Sequence, residues 1–248
     1  MIVFENVTKE FPNGTVALLE VSFHIEPGEF VFIIGPSGAG KTTLLRLLLR
    51  ELKPTSGTVQ VDKRDLSEIK KRELPILRRQ IGAVFQDYKL IDDRTVAENV
   101  ALVSEIIKQN EEEIDEHVKE ILSQVGLEDK ADLFPSQLSG GELQRTTIAR
   151  ALAAHPKIIF ADEPTGNLDA ATSWEIINLL LMINKADTTV IVATHNQDIM
   201  QSLDKRVIEL EKGRVVRDTK KPRQKKPKAE TEKEKTKPAK QKDEKKKK

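Results

Sequence analysis

Cysteine is absent from the 248-residue chain, which excludes a disulfide framework, a thiol nucleophile and a cysteine-built metal cluster. No apolar run approaches the roughly 18 residues that a membrane-spanning helix needs. The opening Met1-Ile2-Val3-Phe4-Glu5-Asn6 also lacks the basic-then-apolar layout of a secretory leader. The expectation is a cytoplasmic protein without a span of its own. Net charge is nearly missing too, at +1, but it is unevenly spread. Residues 219–248 hold 15 Lys/Arg against 5 Asp/Glu, a net of +10, while the rest holds 26 against 35. An acidic body argues against a broad nucleic-acid surface, so no specific nucleic-acid partner is expected. Length and a 38% apolar share allow one α/β domain with an inserted subdomain.

The strongest signal is Gly35-Pro36-Ser37-Gly38-Ala39-Gly40-Lys41-Thr42, a full match to the phosphate-binding pattern G-x-x-x-x-G-K-[ST]. Phe30-Val31-Phe32-Ile33-Ile34 before it reads as a buried strand, and Thr42-Thr43 and the leucines after it read as a helix. Glycines let backbone N–H groups converge on phosphate oxygens, and the helix N-terminus adds unpaired donors. Lys41 is placed to reach the β- and γ-phosphates, and the Thr42 hydroxyl to ligate Mg²⁺.

Residues 1–34 alternate short apolar runs with turn signals, which predicts a small antiparallel β layer. Phe11 lies between two of those strands; its ring serves either as core or as a face for an adenine. Thr58-Val59-Gln60-Val61 alternates as a strand, and a charged helix is expected from there to about Arg79. Ile81-Gly82-Ala83-Val84-Phe85 is a buried strand ending at Gln86-Asp87, where open α/β sheets bind ligands. Residues 95–150 read as mostly helical, with Ile114, Val118, Ile121, Leu122 and Val125 on one face, Gly126 as C-cap and His117 off the stripe in solvent. Ser139 and Glu142 in Leu138-Ser139-Gly140-Gly141-Glu142 spell a capping box. The two glycines at that helix start equally suit a second anion cradle.

Ile158-Ile159-Phe160-Ala161-Asp162-Glu163 is a strand ending in two carboxylates. A buried carboxylate needs a compensating cation, so Asp162 is the natural Mg²⁺ partner and Glu163 the holder of the attacking water. A further strand from Thr188 to Thr194 delivers His195 to the same edge. Two short strands joined near Lys212-Gly213 close the domain. Beyond Asp218 the chain is Lys, Glu, Pro and Gln with few apolar residues, which predicts disorder over 218–248.

In this order, residues 35–42, Gln86, 138–142, 158–163, 166–169 and His195 resemble the Walker A, Q-loop, signature, Walker B, D-loop and H-loop of an ABC-type ATPase. The resemblance covers about residues 1–217. It implies an α/β P-loop NTPase core of the ABC type, with the N-terminal antiparallel β layer and a helical subdomain inserted at about 87–150. Arg78-Arg79-Gln80-Ile81-Gly82, Val84-Phe85-Gln86-Asp87 and Asp93-Arg94-Thr95-Val96-Ala97-Glu98-Asn99-Val100 are similar to the cell-division branch of that family. Phe11 stands where the family commonly has an adenine-stacking tyrosine, and Asn196 where it usually has Asp.

The resemblance implies two copies sandwiching two ATP molecules, with Ser139, Gly140 and Gly141 of one copy completing the other's site. It implies that Lys41 neutralises phosphate charge, that Thr42, Gln86 and Asp162 place Mg²⁺, that Glu163 polarises water and that His195 contacts the γ-phosphate. The residues cradling ATP are then Phe11, Gly35 through Thr43, Gln86, Asp162 and His195, with the partner's signature residues. The expected partner is an integral membrane protein of the FtsX type, at the inner face of the membrane, in control of cell-wall hydrolysis. The alternatives are the ATPase of a lipoprotein- or macrolide/peptide-export transporter, and an ABC ATPase acting on DNA or ribosomes. The basic tail is either a solubilising segment, a contact for anionic lipid, or a strap folded back on the acidic body.

Overall fold

The computed structural model describes residues 1–106 and 110–220. The tail expectations lie outside the described residues from 221 onward. In chain order the strands are β1 (Ile2–Glu10), β2 (Val16–Ile25), β3 (Phe30–Ile34), β4 (Ser56–Val61), β5 (Arg64–Asp65), β6 (Ile81–Val84), β7 (Ile158–Asp162), β8 (Thr189–Thr194), β9 (Arg206–Glu211) and β10 (Arg214–Asp218). The helices are α1 (Lys41–Leu48), α2 (Leu74–Arg79), α3 (Val96–Ile106), α4 (Glu111–Val125), α5 (Gly140–Leu152), α6 (Ala170–Lys185) and α7 (Gln197–Ser202).

The expected antiparallel layer is present, in the order β2-β1-β4-β5. The second sheet runs β10-β9-β3-β8-β7-β6, parallel from β9 to β6, with β10 returning as an antiparallel edge. Its central strands are buried on both faces, which explains their unbroken apolar runs. Val31 and Ile33 of β3 enter the core shared with α1 and the antiparallel layer. Phe30, Phe32 and Ile34 enter the core shared with α3 to α6. Ile158 and Phe160 divide from Ile159 and Ala161 in the same period of two.

The charged helix expected before Arg79 does not form. After β5 the chain makes two short 3₁₀ turns, Leu66–Glu68 and Lys71–Glu73, and only then α2. Asp65 caps the first turn by accepting from the Ser67 N–H at 2.7 Å. Pro75 lies in the first turn of α2, where its missing N–H is harmless; further into a continuous helix it would remove a bond.

α4 follows the reading closely: Ile114, Val118, Ile121, Leu122 and Val125 are buried, and Gly126 caps it at φ 66°. His117 differs. It is half-buried, with Nε2 3.2 Å from the Ala153 carbonyl and its ring 4.4 Å from that of His155. The helical period put His117 off the apolar stripe, but the loop after α5 folds back to cover it.

One buried cation fastens the end of the domain. Arg206, 6% exposed along its side chain, reaches Asp218 at 2.8 and 2.6 Å, Glu29 at 3.0 and 3.1 Å, and the His24 carbonyl at 2.8 Å. Burial alone would raise the Asp218 pKa, yet the Arg206 hydrogen bonds hold it below the usual carboxylate value. Asp218 therefore adds stability above the ordinary carboxylate range and loses it as pH falls through its lowered value. Arg206→Met is expected to cost about 3 kcal/mol at pH 7, the low end for breaking a buried pair because both carboxylates retain some water. The difference from the parent chain should shrink in acid, as urea titrations at pH 7 and pH 3 would reveal.

Candidate nucleotide site

β3 ends at Ile34 and α1 begins at Lys41, so residues 35–40 make the turn between them. Gly40 caps α1 in a left-handed conformation, φ 108°, and a Cβ there would lie 2.6 Å from Leu18 Cδ2 and 2.7 Å from the Ala17 carbonyl. Glycine is therefore required twice over, by conformation and by the close approach of β2. No acidic residue stands in the first turn of α1, which leaves its N–H groups and positive dipole end open to an anion.

Parallel register brings the other groups to the same edge. Ile34 pairs with Thr194, Asp162 with Ala193 and Val84 with Ala161, so the carboxyl ends of β3, β8, β7 and β6 finish together. A cavity of about 450 Å³ opens there, lined by Ala17, by residues 36–43, and by Gln86, Asp162, Glu163 and His195. Lys41, Thr42, Gln86, Asp162, Glu163 and His195 thus meet in one place.

Glu163 is the hub. Its φ of 50° puts a non-glycine residue in the left-handed region, a strained conformation of the kind that gathers at functional sites. Oε1 lies 3.2 Å from Lys41 Nζ, and Oε2 lies 2.8 Å from His195 Nδ1. The carboxylate can only accept, so His195 donates to it from Nδ1. Lys41 also donates to the carbonyls of Gly35 at 2.8 Å and Pro36 at 3.3 Å, joining the phosphate loop to the end of β7.

Asp162 tests the site for a cation. It is 6% exposed, and Oδ1 is buried without a hydrogen-bond partner among the described residues. Burial raises its pKa, opposed by the Thr42 hydroxyl, reinforced by Glu163 and opposed by Lys41. An orphaned carboxylate oxygen beside a hydroxyl, with the Gln86 amide on the same cavity, is an all-oxygen donor set. It fits Mg²⁺.

Not every expected residue joins the cavity. Phe11 is half-buried beyond the end of β1, with Lys9 Nζ 5.4 Å from its ring centre, and stands outside the lining. Ser139, Gly140 and Gly141 also stand outside it, at the start of α5. The capping box there is real: Ser139 Oγ accepts from the Glu142 N–H at 3.4 Å, and the Ser139 N–H donates to Glu142 at 2.8 Å. Gly141 has a packing reason as well, since a Cβ would meet Thr172 Cγ2 of α6 at 2.5 Å. Asn196 serves locally, capping α7 by accepting from the N–H groups of Asp198 at 3.1 Å and Ile199 at 3.3 Å. Sequence reasoning missed the direct Glu163–His195 contact, which joins residues 32 apart, and Arg150, whose only mark is a lone cation in an apolar helix end.

A phosphate loop, a buried cation-seeking aspartate and a strained glutamate at the edge of a parallel sheet define a P-loop nucleotide hydrolase. The ABC transporter family profile matches residues 18–166, and the chain belongs to that family as an ATPase. It is 52% identical to "Cell division ATP-binding protein FtsE" of Streptococcus pneumoniae serotype 2 (strain D39), over 89% of this chain and 96% of that one. With the protein of the same name from Bacillus subtilis (strain 168) the identity is 50%, over 88% and 96%. Among solved structures it resembles the dimeric ATP-binding cassette MJ0796 in a post-hydrolysis state bound to ADP and Pi, with TM-score 0.80 and 40% identity, over 88% of this chain and 97% of that one. The chain itself has no described helix long and apolar enough to cross a membrane.

Proposed function

We propose that this chain is the ATP-hydrolysing subunit of a cell-division complex, working as an ATP-bound pair of copies beneath an FtsX-type membrane protein. The observation that carries the catalytic part is the meeting of Lys41, Asp162, Glu163 and His195 at one sheet edge. Residues 35–43 cradle the phosphates, and Lys41 leaves the carbonyls of Gly35 and Pro36 for phosphate oxygens as the nucleotide enters. Thr42, Asp162 and Gln86 hold Mg²⁺, which supplies charge neutralisation across the phosphates. Glu163 takes the proton of the attacking water, and His195, oriented by its Nδ1 bond to Glu163, stands at the γ-phosphate side of the cavity. Ser139, Gly140 and Gly141 face the nucleotide of the opposing copy, which accounts for their distance from their own cavity.

The membrane partner has a place to dock. A groove of about 470 Å³ runs beside the edge strand β6, with Phe85, Ile81, Val103 and Ile106 as its apolar surface and Arg78, Arg79 and Arg150 at its rim. Ile106 is 63% exposed. An amphipathic cytoplasmic segment with acidic residues fits that combination. The basic residues from 219 onward favour anionic lipid in the same arrangement.

Ile106→Asp tests this reading. Because the side chain is exposed, stability should change by no more than about 0.5 kcal/mol, and ATP binding should persist. Co-purification of the membrane partner, followed by mass spectrometry of detergent extracts, should be lost. Recovery of a large export permease instead of an FtsX-type protein would favour the transporter alternative. Retention of the partner by the variant would exclude the groove as its docking site.

A further inference from the structure

Tyr88 and Lys89 follow Gln86, and both lie in the left-handed region, at φ 55° and 53°. Neither is a residue that tolerates this region well, because Cβ crowds the following carbonyl. Their support comes from α5. Arg150 Nη1 donates to the Lys89 carbonyl at 2.6 Å, and Nη2 to the Tyr88 carbonyl at 2.9 Å. A planar guanidinium offers two donors in a fixed fork, which suits two successive carbonyls. Among the described residues the guanidinium's hydrogen bonds go to these two backbone carbonyls and to no carboxylate, so it is not an ordinary ion pair that happens to lie nearby. The same turn reaches the other end of α5. The hydroxyl of Tyr88, the only tyrosine of the chain, lies 3.5 Å from where a Cβ on Gly140 would stand. The Tyr88–Lys89 turn therefore spans α5 from its first residue to its last turn.

We propose that Arg150 is a positioning residue for ATP hydrolysis: its grip on the Tyr88 and Lys89 carbonyls sets Gln86 at the metal end of the cavity. The same grip fixes that placement relative to α5, whose first residues serve the opposing copy. The inference rests on the metal-binding role of Gln86 given above. Without the fork the two left-handed residues relax, the turn closed by the Tyr88 N–H on the Phe85 carbonyl at 3.3 Å shifts, and Gln86 withdraws. The phosphate loop, which connects β3 to α1, is left as it was.

The test compares Arg150→Lys, Gln86→Ala and the double variant in the full chain. Binding of a non-hydrolysable ATP analogue is measured by calorimetry with and without Mg²⁺, beside kcat and KM. Binding without Mg²⁺ should stay within about twofold, while the tightening produced by Mg²⁺ falls at least about threefold in both single variants. The double variant should be no worse than Gln86→Ala, since both act through one group. A Mg²⁺ response untouched by Arg150→Lys, or a loss that adds to that of Gln86→Ala, overturns the positioning role alone. A silent Gln86→Ala overturns the role of Gln86 and this inference with it. Arg150→Gln, which keeps one planar donor, replaces the lysine variant if the latter melts below the assay temperature.

Discussion

Glu163→Gln is expected to lower ATP turnover by at least about 100-fold, the share a positioned general base supplies, with ATP affinity changed only a few-fold. The substitution keeps the size and the left-handed backbone of the residue, so the strain at φ 50° is unchanged and the fold is not the cause. What it removes is charge and basicity. The amide keeps one carbonyl oxygen, which can still accept from one of the two groups that hold the side chain, Lys41 Nζ at 3.2 Å or His195 Nδ1 at 2.8 Å, while its NH2 takes the other position. Binding is carried mainly by the backbone N–H groups of the loop of residues 35–43 and by Asp162; within that loop it is the Lys41 side chain that contacts residue 163, at 3.2 Å, which is why a few-fold change in affinity is allowed for. An enzyme that binds but does not hydrolyse should accumulate as an ATP-bound dimer, visible as an earlier peak in gel filtration with ATP and Mg²⁺. Near-normal hydrolysis by the variant would reassign the base.

The second large effect concerns the division of each site between two copies. Lys41→Ala and Ser139→Arg should each abolish turnover when present in both copies. Mixed in equal amounts, half the dimers combine the two variants, and in those one site has both lesions and the other has neither. About a quarter of parental activity should return. Ser139 also caps α5, and losing that cap costs about 1 kcal/mol, so the Ser139→Arg chain must first be shown to melt normally. Activity in the mixture no higher than in either variant alone, at concentrations where dimers form, would place Ser139 in service of its own chain.

The local elements of this protein are written within a few residues of each other. Gly40 before α1, Ser139 with Glu142 before α5, Asp169 before α6 and Gly126 after α4 each act across three or four positions. For that reason they are legible without a structure, as are the apolar runs of strands buried on both faces. The break of the charged stretch before Arg79 was readable in principle, because Pro75 sits in it, but the pull of its helix-forming neighbours hides the turn. Phe11 was legible only as a ring in a loop; where that ring lies depends on packing around β1 and not on its neighbours in sequence.

The chemistry was half-written. Sequence alone determined that Lys41, Gln86, Asp162, Glu163 and His195 end strands or begin helices, and hence that each belongs at the rim of an α/β sheet. Only the tertiary structure decided that Glu163 is held between Lys41 and His195, that Asp162 is left with an unpaired oxygen, and that Arg150 braces the turn after Gln86. The physical reason is the strand order β9-β3-β8-β7-β6, in which neighbours in space are far apart along the chain. A hydrogen bond across such a gap is fixed by sheet register and helix packing, which no local pattern of residue types encodes.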